Sequence, residues 1–324
     1  MTIIEVEGLS REFTVFESAG RFRRRKKTVQ AVREVSFTVE QGEAVGYIGA
    51  NGAGKSTTIK MLTRILVPSS GRVTVCGLLP VPQRQALARK IGVVFGQRSQ
   101  LWWDLPLQDS YPILGAMHRQ PESRWRPRLE ELAGQMQLGA FLSTPVRQLS
   151  LGQRMRGEVA AALLHRPELV ILDEPTIGLD MISKENLRRF LDFERRENGT
   201  TLLLTTHDMS DVQRLCQRVL VVDDGAIAFD GQLSGLAEVA EAGRTMVVDL
   251  ATPVYSAEAL PLPAGAVHEG VEAQGIRHSI SFDPRQLSAA ALLAAISTTA
   301  EVADLSLHGP DIEHLVRQLY TSGR

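Results

Sequence analysis

The eight residues Gly49-Ala50-Asn51-Gly52-Ala53-Gly54-Lys55-Ser56 constrain this chain more than any other stretch. They follow an apolar run ending Val45-Gly46-Tyr47-Ile48 and open the helical sequence Thr57-Thr58-Ile59-Lys60-Met61-Leu62. A polyphosphate needs several backbone N–H groups converging on one point, and glycine lets a chain curl that tightly without Cβ clashes. A helix opening at Lys55 adds its unpaired N–H groups and its dipole to the same anion. The spacing therefore predicts a phosphate cradle formed by Gly49, Asn51, Gly52, Gly54 and Thr57. In it Lys55 reaches the β- and γ-phosphates and the Ser56 hydroxyl ligates Mg²⁺.

With 324 residues the chain is long enough for two domains, and 44% hydrophobic with 23% charged residues is an ordinary globular composition. A net charge of −1 and a pI near 6.7 provide no broad positive field, which argues against nucleic acid as the main partner. No apolar run reaches the length of a membrane span and the N-terminus lacks a signal-peptide pattern, so a soluble or peripheral protein is expected. Cys76 and Cys216 lie in apolar surroundings without metal-ligand spacing and read as buried free thiols.

Residues 2–8 and 35–48, bounded by Gly42, read as strands, and Leu169-Val170-Ile171-Leu172 and Leu202-Leu203-Leu204-Thr205 as strands buried on both faces. Residues 97–166 are mainly helical in pattern. Strands alternating with helices around a phosphate loop imply a mainly parallel α/β sheet. The run Arg21-Phe22-Arg23-Arg24-Arg25-Lys26-Lys27 is too charged to pack and is expected to be an exposed, solvated loop, with contact to anionic lipid headgroups as the other reading. Beyond a boundary near residue 238, residues 245–250 and 276–282 read as strands and 284–296 as a helix. A last helix from Pro310 places Ile312, Leu315, Val316 and Leu319 on one face.

The strand at 169–172 ends in Asp173-Glu174, at the sheet edge where open α/β folds place their ligands. Asp173 suits a contact to Mg²⁺ and Glu174 suits the general base for an attacking water. Leu149-Ser150-Leu151-Gly152-Gln153-Arg154 stands one helix length upstream. That segment resembles the signature sequence of ABC (ATP-binding cassette) ATPases. Gln97 at a Q-loop position, Gly178-Leu179-Asp180 at a D-loop position and His207 after a strand complete the order of motifs. The resemblance covers residues 1 to about 235 and is strongest to ATPase subunits of drug-exporter-type or uncharacterised bacterial transport systems.

The resemblance implies a P-loop NTPase cassette with a mixed sheet core, an antiparallel β arm and a helical subdomain at about 98–166. It places the nucleotide-binding domain at 1–238 and leaves an accessory α/β domain at 239–324. It implies hydrolysis of ATP with Mg²⁺, with Glu174, His207 and Gln97 as the catalytic set and Ser56, Gln97 and Asp173 around the metal. Ser150, Gly152, Gln153 and Asp180 would cover the γ-phosphate held by a second copy of the chain, so two ATP molecules are sandwiched in a head-to-tail dimer. The implied partner is an integral membrane permease, which the subunit would power from the cytoplasmic face, most simply as an exporter. A soluble ABC ATPase acting on nucleic acid or the ribosome is the alternative.

Two departures from the family pattern stand out: Leu151 replaces the usual glycine of the signature, and Ile177-Gly178 replaces the usual serine-alanine before Leu179-Asp180. The contacting groups Ser150, Gly152 and Asp180 remain, so altered rate and dimer affinity are expected before loss of activity. Phe13 occupies the position of the adenine-stacking aromatic, with Phe16 as its rival and a core role open for both. Trp102 and Trp103 follow the Q-loop position and suggest a contact for the membrane partner, packing of the helical subdomain being the other reading. Residues 239–324 carry no clustered His, Cys or carboxylate set and are expected to serve dimer contacts or regulation.

Overall fold

The computed structural model describes residues 1–18, 24–96, 99–206, 208–239, 244–255, 260 and 262–308. The chain divides into two units, Met1–Leu233 and Ser234–Arg324.

The first unit opens with an antiparallel sheet of β1 (Thr2–Ser18), β2 (Arg24–Glu40) and, after β3 and α1, β4 (Ser70–Val75), in the order β2-β1-β4. Its second sheet contains β3 (Ala44–Gly49), β5 (Ile91–Phe95), β6 (Leu169–Asp173), β7 (Thr201–Thr205), β8 (Arg218–Asp223) and β9 (Ala226–Gln232). The order is β5-β6-β7-β3-β8-β9, parallel except for β9. Of the helices α1 (Lys55–Leu62), α2 (Arg84–Leu87), α3 (Leu107–Met117), α4 (Glu122–Gln135), α5 (Leu151–Leu163), α6 (Met181–Asn198) and α7 (Met209–Leu215), α1 packs on β3 and α5 on β5, α3 and α4 pack on each other and on α5, and α6 packs on α7. β3 and β7 are buried at every residue, as expected of apolar strands covered on both faces. Ile4, Val6 and Val75 of the first sheet share one core with Tyr47, Ile171 and Leu203 of the second and with Ile59 of α1.

The parallel register aligns Phe95, Asp173 and Thr205 across β5, β6 and β7, and Gly49 with Val222 across β3 and β8. The carboxyl ends of these strands therefore form one edge, from which the phosphate loop and the Asp173-Glu174 pair both emerge.

After α8 (Leu233–Val239), the second unit forms an antiparallel sheet of β10 (Arg244–Leu250), β11 (Ala266–Glu272), β12 (Arg277–Phe282) and β13 (Val302–His308), in the order β11-β12-β10-β13. Met246, Val248, Ile280 and Phe282 pack with Leu292 and Ile296 of α9 (Ala289–Ser297) and with Leu260.

Gly42, the expected boundary within 35–48, turns the chain at φ +78° between β2 and β3. Two expectations are corrected. The basic run is not all loop: Arg24, Arg25, Lys26 and Lys27 belong to β2 and pair with Ser18, Glu17, Phe16 and Val15. In a ribbon, alternate side chains leave on opposite faces, so backbone pairing does not require a cation to be buried, and Lys26 and Lys27 are exposed. The helix expected from Pro284 starts only at Ala289. Asp283 accepts a hydrogen bond from the Arg285 N–H at 2.9 Å to form a turn, and Ser288 caps the helix by accepting from the Ala291 N–H at 3.2 Å. The helix expected from Pro310 lies outside the described residues. Both cysteines are buried and free, and burial pushes each thiol up to about 12.

Candidate active site

Backbone crowding at the end of β3 dictates the glycines of the phosphate loop. A Cβ on Gly49 would stand 2.3 Å from the Val222 carbonyl oxygen, and one on Gly54, at φ +98°, would stand 2.4 Å from the Ala31 carbonyl oxygen. Gly54 is the N-cap of α1 and provides no side-chain cap, so the leading N–H groups of that helix are left for a ligand. A cavity of about 420 Å³ opens there, lined by Asn51, Gly52, Gly54, Lys55, Ser56 and Thr57 of the loop and by Asp173 and Glu174 of the β6 end.

The Lys55 ammonium donates to the Gly49 carbonyl at 2.6 Å and the Ala50 carbonyl at 2.9 Å. Burial lowers its pKa, while Glu174 and Asp173 act in the opposite direction and favour the charged form. An anionic ligand in the cavity would add to that favourable field.

Asp173 ends β6 and its carboxylate accepts from the Thr205 hydroxyl on β7. Glu174, at φ +54°, turns the chain out of the strand, and its N–H donates to the Thr205 carbonyl at 2.9 Å. A non-glycine residue held in the left-handed region costs of order 1–3 kcal/mol, and such strain gathers at functional sites. Gln97 and His207 lie outside the described residues. Their neighbours are placed: Gly96 lines the cavity, and Thr206 is buried next to the β7 end.

Ser150, Gly152, Gln153 and Asp180 do not line this cavity. Ser150 caps α5: its hydroxyl accepts from the Gln153 N–H at 3.2 Å, and the Gln153 side-chain oxygen accepts from the Ser150 N–H at 2.9 Å. Asp180 caps α6, accepting from the N–H and hydroxyl of Ser183 at 2.9 and 2.7 Å, and these bonds lower its pKa. Leu151 and Gly178, two of the three unusual residues, meet each other. A Cβ on Gly178, at φ +72°, would stand 2.3 Å from Leu151 Cδ2 and 2.7 Å from its Cγ.

Phe13 is half-buried on β1 opposite Val29, with the Arg11 guanidinium 4.8 Å from its ring centre, and is not in the cavity lining. The side chain of Phe16 lies outside the described residues. Trp103 is 51% exposed and Trp102 half-buried, so the pair divides between surface and packing.

Some site residues were not found from the sequence. Ala31, Lys60, Phe95, Gly96 and Ile177 also line the cavity. Asp211 on α7 is fully buried, accepts from the Thr176 and Thr206 hydroxyls and binds Arg188 of α6 at 2.7 Å. It ties the turn after Glu174 to the β7 end. Asp208 nearby binds Lys184 at 2.7 Å; burial alone would raise its pKa, but the bonds from Lys184 and Ser210 pull it down to about 2.

The donors suit a nucleotide-bound divalent ion. Among the described residues no cluster of three or more His, Cys, Asp or Glu side chains could cage a metal, yet the Ser56 hydroxyl and the Asp173 carboxylate share the cavity. Magnesium held on substrate phosphates needs only one or two carboxylates from the protein.

The ABC transporter family profile matches residues 32–177. Over 225 residues the chain is 35% identical to the ABC transporter ATP-binding protein NatA of Bacillus subtilis, covering 69% of this chain and 91% of that one. The chain belongs to the ABC transporter ATP-binding proteins. It is also 36% identical over 216 residues to the Nod factor export ATP-binding protein I of Paraburkholderia xenovorans, covering 65% and 68% of the two chains. Among solved structures it resembles CbiO1 of Clostridium perfringens, part of the transporter complex CbiONQ (28% identity, 74% and 90% coverage, TM-score 0.60). A dimeric ATP-binding cassette in a post-hydrolysis state with ADP and Pi matches similarly (25% identity, 71% and 98% coverage, TM-score 0.60). The chain is thus an ABC-type ATPase that binds ATP as the nucleotide-binding subunit of a transport system. Among the described residues no helix is long and apolar enough to cross a membrane.

Proposed function

We propose that two copies of this chain close head to tail on two ATP molecules and drive a separate membrane permease, as an exporter, from the cytoplasmic face of the membrane. The observation that carries this reading is the division of the site. Loop donors and both acids meet in one cavity, while the Ser150 and Asp180 groups stand outside it. A second copy would bring its Ser150 and Gly152 to the exposed γ-phosphate. The export relatives support the direction, and the half-exposed Trp103 is a contact for the permease.

In this mechanism the α1 N-terminus and the loop N–H groups hold the phosphate chain, and Lys55 leaves its two carbonyls for the β- and γ-oxygens. Ser56 and Asp173, with Gln97, would hold Mg²⁺, which neutralises phosphate charge when bound. Glu174, aimed by its strained backbone and its bond to Thr205, accepts the proton of the attacking water. His207 orients that water and the γ-phosphate. Phe13 stacks on the adenine.

Glu174→Gln tests the assignment. It removes the base and leaves the phosphate cradle, so the variant should bind Mg-ATP, lose turnover, and elute as an ATP-dependent dimer because nucleotide stabilises the state that binds it. Hydrolysis at the wild-type rate would reject Glu174 as the base. Tight ATP binding by a strictly monomeric variant would reject the shared site.

A further inference from the structure

β1 and β2 continue as a two-stranded ribbon past the point where β4 supports them. The last β1–β4 pair is Ser10 with Ser70, whereas β1–β2 pairing runs on to Ser18 with Arg24. At about 3.3 Å per residue, the stretch 11–18 carries the ribbon about 25 Å further. A two-stranded ribbon without a third strand or a packed face is marginal in water, so this length is not explained by the core. Residues 26–30 are all exposed. Val15 and Val29 are about 40% exposed, and Phe13 shares their face, standing opposite Val29.

The distal end is strongly cationic. Arg24, Arg25, Lys26 and Lys27 follow one another, and the β1 residues paired with them include one acid, Glu17. The whole chain is nevertheless net −1, so positive charge is concentrated here and the remainder is acidic.

We propose that this ribbon end docks on an anionic lipid surface, its cations among the headgroups and its exposed valines at the headgroup–acyl boundary. The inference rests on the reading that the chain works against a membrane, but it requires no permease. Clustered Lys and Arg beside apolar side chains match the chemistry of an anionic bilayer surface. A nucleic acid fits less well: the exposed Val15 and Val29 add nothing to a phosphate backbone, and a net charge of −1 provides no broad positive field.

The purified full chain should co-sediment with vesicles of phosphatidylcholine containing phosphatidylglycerol and not with phosphatidylcholine alone, and binding should fall as salt rises. Each cation near such a surface contributes about fivefold to binding. The variant with Arg24, Arg25, Lys26 and Lys27 all changed to Gln should therefore bind on the order of several hundredfold more weakly. Its ATP affinity by calorimetry serves as the folding control. A charge-conserving variant, Arg24→Lys with Arg25→Lys, should keep vesicle binding. Equal sedimentation with neutral vesicles, unchanged binding by the Gln variant, loss of binding in the charge-conserving variant, or tighter binding to RNA or DNA than to the vesicles would each overturn the proposal. None of these readouts depends on ATP hydrolysis, so failure of the Glu174 test leaves this one standing.

Discussion

Leu151 and Gly178 are two of the three residues that depart from the family pattern, and the structure makes them a pair, which a double-mutant cycle can measure. Gly178→Ala meets two obstacles. At φ +72° an L-residue costs about 1–2 kcal/mol. The new Cβ would also overlap Leu151 Cδ2 at 2.3 Å and Cγ at 2.7 Å. Rotation about χ2 moves Cδ2 but leaves Cγ in place, so relief requires a change of χ1 on the first turn of α5, where few rotamers are open. Overpacking of this kind costs about 1–3 kcal/mol. The single variant should thus lose about 2–5 kcal/mol, which lowers the melting temperature by roughly 5–20 °C for a unit of this size.

Leu151→Ala removes both overlapping atoms and leaves only its Cβ, 3.2 Å from the new methyl carbon. Because Leu151 is 39% exposed, that change alone should cost about 1 kcal/mol, less than full burial of a leucine is worth. In the Leu151→Ala background, Gly178→Ala should cost only the backbone part. The cycle should therefore give a coupling of about 1–3 kcal/mol, with Leu151→Ala rescuing Gly178→Ala, as read from urea midpoints. Additivity within about 0.5 kcal/mol would refute the contact.

Two further perturbations test features outside the nucleotide cavity. Arg128 of α4 and Glu194 of α6 form a fully buried ion pair at 2.7 Å; Arg128→Met should destabilise by about 3–5 kcal/mol in chemical denaturation, and adding Glu194→Leu should recover most of it. His165 stacks on His118 at 3.7 Å and places its Nε2 3.0 Å from the Ile91 carbonyl, and burial, with the neighbouring His118, lowers its pKa from 6.5 to about 3. The unfolded chain therefore takes up a proton that the folded chain refuses. This contribution is intact above pH 6.5, falls as pH drops toward 3, and amounts to about 2 kcal/mol lost by pH 5. His165→Phe should flatten that part of the stability–pH curve, and an unchanged curve would reject the burial argument.

The phosphate loop and Asp173-Glu174 were legible in the sequence because their chemistry is local. Gly49 and Gly54 meet carbonyls at distances that only glycine tolerates, so the residue types follow from backbone crowding within a short segment. The apolar runs of β6 and β7 were legible because burial on both faces leaves an unbroken pattern. β13 offers no such pattern: six of its seven residues are exposed, and it is a strand only through pairing with β10, more than fifty residues away. Pairing also overrode composition in β2, where four cations that read as loop are carried in backbone pairing with β1.

The same division explains why the positioning residues escaped notice. Asp211 meets Thr176 across 35 residues and Arg188 across 23, and a lone aspartate on an amphipathic helix reads as surface until the β7 end is folded over it. The substitutions at 151 and 178 stand 27 positions apart and look like two independent losses from a motif. In the fold they are complementary: the leucine that enlarges one side occupies the space that the missing Cβ leaves on the other. Both lie between the capped starts of α5 and α6, the elements that carry Ser150 and Asp180. Their packing therefore sets how the two caps stand within one copy before any second copy arrives, so a change at either position should alter closure on ATP while leaving the Lys55 cradle intact.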